Sequence, residues 1–219
     1  MLQTLLKKRG TSEDYSRLFK ALCGAVGIEA VVIEGWGRSF FHPFRKLPKK
    51  TNHFWNAVKI GDKWRLVDVA WAAGYTDEEA TKFSAYFQPG LFLMPPDRFI
   101  QDHLPLDPNW QLTPCLVSPE AFPFQIYVNS GQVAYPIEDY WPKFGRIVPK
   151  DGMMEIRIKF TKTPPALVVA SRNSRALEFK QTLEEGYVVL RFKKPRRGEV
   201  GVYGGEKTGK KGWLLRYNY

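Results

Sequence analysis

Asn52-His53-Phe54-Trp55-Asn56-Ala57-Val58-Lys59-Ile60, then Gly61-Asp62, then Lys63-Trp64-Arg65-Leu66-Val67-Asp68-Val69-Ala70-Trp71, is the stretch on which the fold of this chain turns. Gly-Asp between two β-prone runs is a hairpin signal, because glycine takes the positive φ that a two-residue turn needs. Such a turn sets Ile60 against Lys63 and Trp55 against Asp68. His53 then lies diagonal to Asp68 on the same face, ~7 Å away at the backbone, a gap that an imidazole and a carboxylate can close. A slip of one residue would put the two on opposite faces. Asp68 stands between Val67 and Val69, where an unpaired charge is costly. His53 is the available partner. A histidine held by a carboxylate suits hydrolase or acyl-transfer chemistry.

On the N-terminal side, residues 13–26 read as a helix with an apolar stripe of Tyr15, Leu18, Phe19, Leu22, Cys23 and Val26. Thr11 and Asp14 fit a capping box, and Gly27 fits a helix stop. Glu29 to Glu34 reads as a buried strand. Gly35 to Thr51 is a loop carrying Trp36, Phe40, Phe41, His42, Phe44 and Arg45. On the C-terminal side, Ala72 to Ala80 reads as loop, Ala85 to Met94 as a strand and Asp97 to His103 as a short helix. Leu104 to Pro119 is a proline-rich wrap.

From about Phe122 the pattern changes to short strands: 124–128, 154–160, 166–170, 176–179, 187–192, 199–203 and 213–217. Ile156, Ile158 and Phe160 alternate with Arg157 and Lys159, the mark of a half-buried antiparallel strand. Seven such strands predict a β-sandwich. The expected organisation is therefore an α+β domain over 1–118 and a sandwich over 119–219.

The chain has 219 residues and a formal charge of +11, with lysine and arginine spread along it. That charge favours acidic partners, but no nucleic-acid module accompanies it, so no nucleic-acid partner is expected. No segment reaches the ~18 continuous apolar residues of a membrane span. The first ten residues carry their charges after the apolar ones, the reverse of a secretory signal. They read as the tail of an interrupted helix whose upstream sequence is absent, which leaves a secreted or periplasmic location open. Cys23 and Cys115 form no metal pattern and read as two buried free thiols, with a single disulfide between them as the alternative.

The nucleophile is the open question. A thiol enzyme places its cysteine at a helix N-terminus, which stabilises the thiolate. Ser12 occupies that place here, and it also fits a simple capping role. Cys23 lies about 16 Å further along the helix axis and belongs to the apolar stripe. His42 and His103 are alternative bases, without a carboxylate on a comparably fixed element. Trp36, Trp55 and Trp71 are candidates for the lining of a substrate cleft.

Several spaced motifs carry a family resemblance: Arg9-Gly10-Thr11-Ser12-Glu13-Asp14-Tyr15, Gly27-Ile28-Glu29-Ala30, His53-Phe54-Trp55-Asn56, Val67-Asp68-Val69-Ala70-Trp71, and Tyr86 to Leu112 with Phe92-Leu93-Met94-Pro95-Pro96 and His103-Leu104-Pro105. Residues 1–118 resemble the transglutaminase-like superfamily, in its kyphoscoliosis-peptidase-like branch. The resemblance implies a papain-like core, a helix packed on an antiparallel sheet, here without the helices that normally precede it. It implies a Cys-His-Asp triad whose positions match Ser12, His53 and Asp68, and substrates that are peptides, cell-wall material or cytoskeletal proteins.

Serine is a far poorer nucleophile than a thiolate, so this chain is expected to be an inactive cysteine-peptidase-like or protein-glutamine-acyltransferase-like domain. The alternative is a natural pseudoenzyme that binds peptides or proteins as a scaffold. A serine hydrolase would lack its Gly-x-Ser-x-Gly elbow. No cofactor is expected, and no acidic calcium loop is present in the sequence.

Overall fold

A computed structural model describes residues 6, 9–39, 46–76, 82–129, 134–171, 175–196, 198–209 and 211–218. Two compact units divide the chain, Met1–Pro123 and Phe124–Tyr219.

In the first unit, helix α1 spans Ser12–Ala25 and is capped by Thr11 and Asp14 in a reciprocal box. Thr11, not Ser12, is therefore the capping residue. Strand β1 (Ala30–Gly37) pairs antiparallel with β2 (His53–Ile60), and β2 with β3 (Lys63–Val67). The β2–β3 turn sets Ile60 against Lys63, the register that the Gly-Asp signal implies. Short strands β4 (Gly74–Thr76) and β5 (Phe83–Ala85) form a separate ribbon after helix α2 (Val69–Ala73). Strands β6 (Phe92–Met94) and β7 (His103–Pro105) complete a five-stranded sheet ordered β6-β3-β2-β1-β7. The result is an α+β unit with helix packed on an antiparallel half-barrel.

Period-two alternation puts His53, Trp55 and Ala57 on one face of β2 and Phe54, Asn56 and Val58 on the other. Helix α1 covers the second face through Phe19 and Cys23, which pack with Val58 and Val67. Asn56 Nδ2 donates to the carbonyls of Ser16 and Val31, each at 3.0 Å, and ties helix to sheet. The helix is rotated from the expected stripe. Ser16 is buried, whereas Leu22 and Val26 are 56% and 71% exposed.

Other expectations need correcting. The strand expected over 85–94 is broken by a 3₁₀ turn at Pro89–Leu91, since proline donates no ladder hydrogen bond. The helix expected over 97–103 is one turn, α3 (Pro96–Phe99), and His103 opens β7 instead. Cys23 is buried and Cys115 exposed, so only one of the two free thiols is buried. Phe40, Phe41, His42, Phe44 and Arg45 lie outside the described residues.

The second unit has two antiparallel sheets. One is ordered β13-β14-β10-β9 and the other β12-β11-β15-β16-β8. In chain order the strands are β8 (Tyr127–Val128), β9 (Ile137–Trp141), β10 (Met153–Phe160), β11 (Ala166–Ser171), β12 (Ala176–Leu177), β13 (Phe179–Glu184), β14 (Tyr187–Lys193), β15 (Glu199–Gly205) and β16 (Gly212–Asn218). Ile156, Ile158, Leu190 and Phe192 from the first sheet share one core with Val169, Val202, Leu215 and Tyr217 from the second, the signature of a sandwich. Lys159 is exposed and Arg157 half-buried, while Ile156 and Ile158 are fully buried. Among the described residues no helix is long and apolar enough to cross a membrane.

Candidate functional site

The site forms where β3 gives way to α2. Asp68 stops the ladder at Val67 and caps α2, its Oδ1 accepting the Trp71 amide at 2.9 Å. Its other oxygen, Oδ2, lies 2.6 Å from His53 Nε2. Both side chains are buried, Asp68 completely and His53 to 5% exposure. The His53 ring stacks on Trp71 at 4.6 Å between centroids. Gly37, on β1, leaves room for that ring, because a Cβ there would come within 2.9 Å of its Cγ and Cδ2.

Asp68 also has a second imidazole. His103 Nε2 reaches the same Oδ2 at 2.9 Å, and His103 Nδ1 reaches Asp102 Oδ1 at 2.6 Å. His103 is wholly buried, stacked on Phe99 at 4.0 Å and edged by Trp55 at 5.2 Å. Strand pairing of β7 on β1, Pro105 opposite Gly35, brings it there. His103 therefore does have a carboxylate on a fixed element, contrary to the sequence reading. Nothing local in Asp102-His103 announces it, because the contact is made across the sheet.

Charge follows from this geometry. Burial works to raise the Asp68 carboxyl, but the nearby His53 charge and the hydrogen bonds from His103 and His53 outweigh it and hold the group well below the usual carboxylate range. For His103, burial works against protonation, yet the Asp102 charge and the hydrogen bonds to Asp102 and Asp68 push the group up to about 9. The side-chain donors of His53, Asp68 and His103 converge within 4.8 Å. Their 2.6 and 2.9 Å separations are hydrogen-bond lengths, so the cluster is joined by protons.

Ser12 is the first residue of α1 and is half-exposed. Its Oγ accepts a hydrogen bond of 3.3 Å from the Phe54 amide, one residue beyond His53. Among the described residues no hydrogen bond joins Ser12 to His53. Of the three tryptophans expected to line a cleft, Trp71 stacks on His53 and is half-buried. Trp55 is 1% exposed and belongs to the core. Trp36 is turned to the 46–50 loop, its Nε1 donating to the Pro48 and Lys50 carbonyls. Neither Cys23 nor Cys115 joins the site, so the described residues present no catalytic cysteine. An open groove of about 870 Å³ runs between α1 and the sheet, lined by Arg17, Lys20, Val31, Glu34, Phe54 and Trp110.

Residues 1–69 match the family model of the transglutaminase-like superfamily. The chain is 34% identical to kyphoscoliosis peptidase of Mus musculus over 110 residues, which is 49% of this chain and 17% of that protein. It is 28% identical to Hillarin of Drosophila melanogaster over 200 residues, 84% of this chain and 24% of that protein. It is 31% identical to Lim and transglutaminase domain protein ltd-1 of Caenorhabditis elegans over 131 residues, 53% of this chain and 18% of that protein. The chain thus spans a quarter or less of the length of these relatives. Part of it is related to the transglutaminase-like superfamily, in a branch that includes the kyphoscoliosis peptidases, at low identity.

Proposed function

We propose that the first unit is an acyl-transfer centre of the thiol-peptidase and transglutaminase type, silent in this chain because Ser12 stands at the nucleophile position. His53 is the base and Asp68 its orienter. The observation that carries the reading is the 2.6 Å contact of His53 Nε2 with Asp68, His53 being the residue before Phe54, whose amide donates to Ser12 Oγ at 3.3 Å.

The chemistry follows from these placements. A carboxylate only accepts, so Asp68 fixes the proton on His53 Nε2 and leaves Nδ1 free to take one. A thiol in the first turn of α1 would be ionised by the helix end and by the adjacent imidazole. It would attack a peptide or glutamine carbonyl, and His53 would return the proton to the leaving amine. Water or a second amine would then release the acyl group, which is peptidase or transferase chemistry respectively. A serine hydroxyl has a much higher pKa, and a site built for an ion pair does not ionise it.

Ser12, His53 and Asp68 do not line the groove beside Phe54, but its mixed apolar and charged walls offer a surface for a peptide or protein partner. Cell-wall or cytoskeletal proteins remain the proposed class. The same groove supports a second reading, a peptide- or protein-binding scaffold with no turnover. Alkylation rate against pH in a Ser12→Cys protein separates the two. A thiol titrating well below the ordinary ~8.5, with a peptidase or acyl-transfer product, supports the first. An ordinary thiol without product leaves the scaffold.

A further inference from the structure

We infer that Asp102 and His103 are positioning residues for Asp68, holding its carboxylate with a buried imidazolium that donates to the same oxygen as His53. The geometry stands by itself. Its catalytic meaning rests on the acyl-transfer reading above.

Both ring nitrogens of His103 face carboxylate oxygens, Asp102 Oδ1 at 2.6 Å and Asp68 Oδ2 at 2.9 Å. An ionised carboxylate offers no proton, so both nitrogens must be N–H donors and the ring must be charged. A neutral ring would aim one lone pair at a carboxylate oxygen, with the ring itself wholly buried. The titratable groups facing His103 are Asp102 beside it, Asp68 at the end of β3 and His53 on β2. The Arg38 guanidinium is near as well, donating to the Gln101 carbonyl. Phe99, Trp55 and Trp71 close the remaining sides with rings. The upward shift of His103 agrees with this picture.

Asp68 therefore accepts from three donors: His53 and His103 on Oδ2, and the Trp71 amide on Oδ1. With all three made, the carboxylate cannot rotate away from His53. A triad needs only one imidazole on its carboxylate. Here Asp102, His103, Asp68 and His53 make a four-membered hydrogen-bonded chain in which carboxylates and imidazoles alternate, and the far pair sets the orientation of the near one.

The test uses the whole chain. Side-chain nitrogen NMR of the protein with Ser12 in place should show His103 doubly protonated through pH 8. Asp102→Asn should convert it to a neutral ring at that pH and shift the His53 Nε2–H signal. In a Ser12→Cys background, Asp102→Asn and His103→Gln should each slow thiol alkylation at pH 7 at least tenfold, against Lys159→Ala, exposed in the second unit, as an unaffected control. A neutral His103 at pH 7 overturns the inference. So does a His53 Nε2–H signal that is the same with and without Asp102. An unreactive Ser12→Cys thiol would overturn the acyl-transfer reading instead, and the nitrogen spectra would still decide the role of Asp102 and His103.

Discussion

Gly37 stands against the imidazole of His53 so closely that a Cβ on residue 37 would lie 2.9 Å from two of its ring atoms. The His53 ring is thus placed by a missing side chain on β1 as much as by the carboxylate it touches. Gly37→Ala should displace the ring from Asp68, because Trp71 stacks on it and leaves it little freedom. We expect a stability loss of about 1–3 kcal/mol from overpacking. In a Ser12→Cys background the thiol should alkylate on the order of tenfold to a hundredfold more slowly. An unchanged rate would mean that His53 does not act on residue 12.

The hairpin register and the His53–Asp68 pairing could be read from sequence because both are local. One turn signal fixes every cross-strand partner between residues 53 and 68. His103 could not be read in this way. It reaches Asp68 only because β7 joins the far side of β1, and a three-residue strand has no periodicity to announce it. In the second unit, β13 went unread for most of its length for a related reason. It runs Phe-Lys-Gln-Thr-Leu-Glu at a sheet edge, with Leu183 75% exposed, so the apolar alternation is missing. The cap Thr11 and the candidate Ser12 are adjacent in sequence, and only their hydrogen bonds tell them apart.

That distinction gives the second prediction. Thr11 Oγ1 accepts from the Asp14 amide while the Asp14 carboxylate accepts from the Thr11 amide, and the Ser12 hydroxyl is turned to the Phe54 amide. Thr11→Ala should cost about 1 kcal/mol in urea unfolding, and Ser12→Ala clearly less. Equal losses at the two positions would return Ser12 to a capping role.

Asp68 is the acceptor on which the site converges. Asp68→Ala leaves two imidazoles and the Trp71 amide without it, in a place no water reaches. Removing one partner of a buried charged cluster costs roughly 3–5 kcal/mol. Asp68→Asn keeps the shape and one acceptor oxygen and should lose less. A loss below about 1 kcal/mol for the alanine variant would contradict the buried network.

Stability should depend on pH through His103. Its folded-state pKa is raised, from an ordinary 6.5 to about 9, so its contribution is complete below 6.5 and is lost as pH rises to about 9. The loss is at most about 3 kcal/mol. Asp68 works in the opposite direction, its contribution being lost as pH falls below the ordinary 3.8. The two effects share one hydrogen bond and do not add. Urea midpoints at pH 6, 7.5 and 9 should fall for the chain with His103 in place and stay flatter for His103→Gln. Parallel curves would remove His103 as the titrating group.

The second unit can be tested apart from the site. Its core is built wholly from residues 126–217, with Ile156, Leu190, Val202, Leu215 and Tyr217 each fully buried. A fragment of residues 124–219 should therefore fold alone, with β-rich circular dichroism and a single cooperative melt. Within it, Ile158→Ala should cost about 2–5 kcal/mol, because both sheets close over that side chain. Lys159→Ala, one residue on and exposed, should stay within about 0.5 kcal/mol. Similar losses at the two positions would mean that the inward and outward faces of β10 are wrongly assigned. A fragment with no cooperative melt would mean that the sandwich depends on the first unit for its fold.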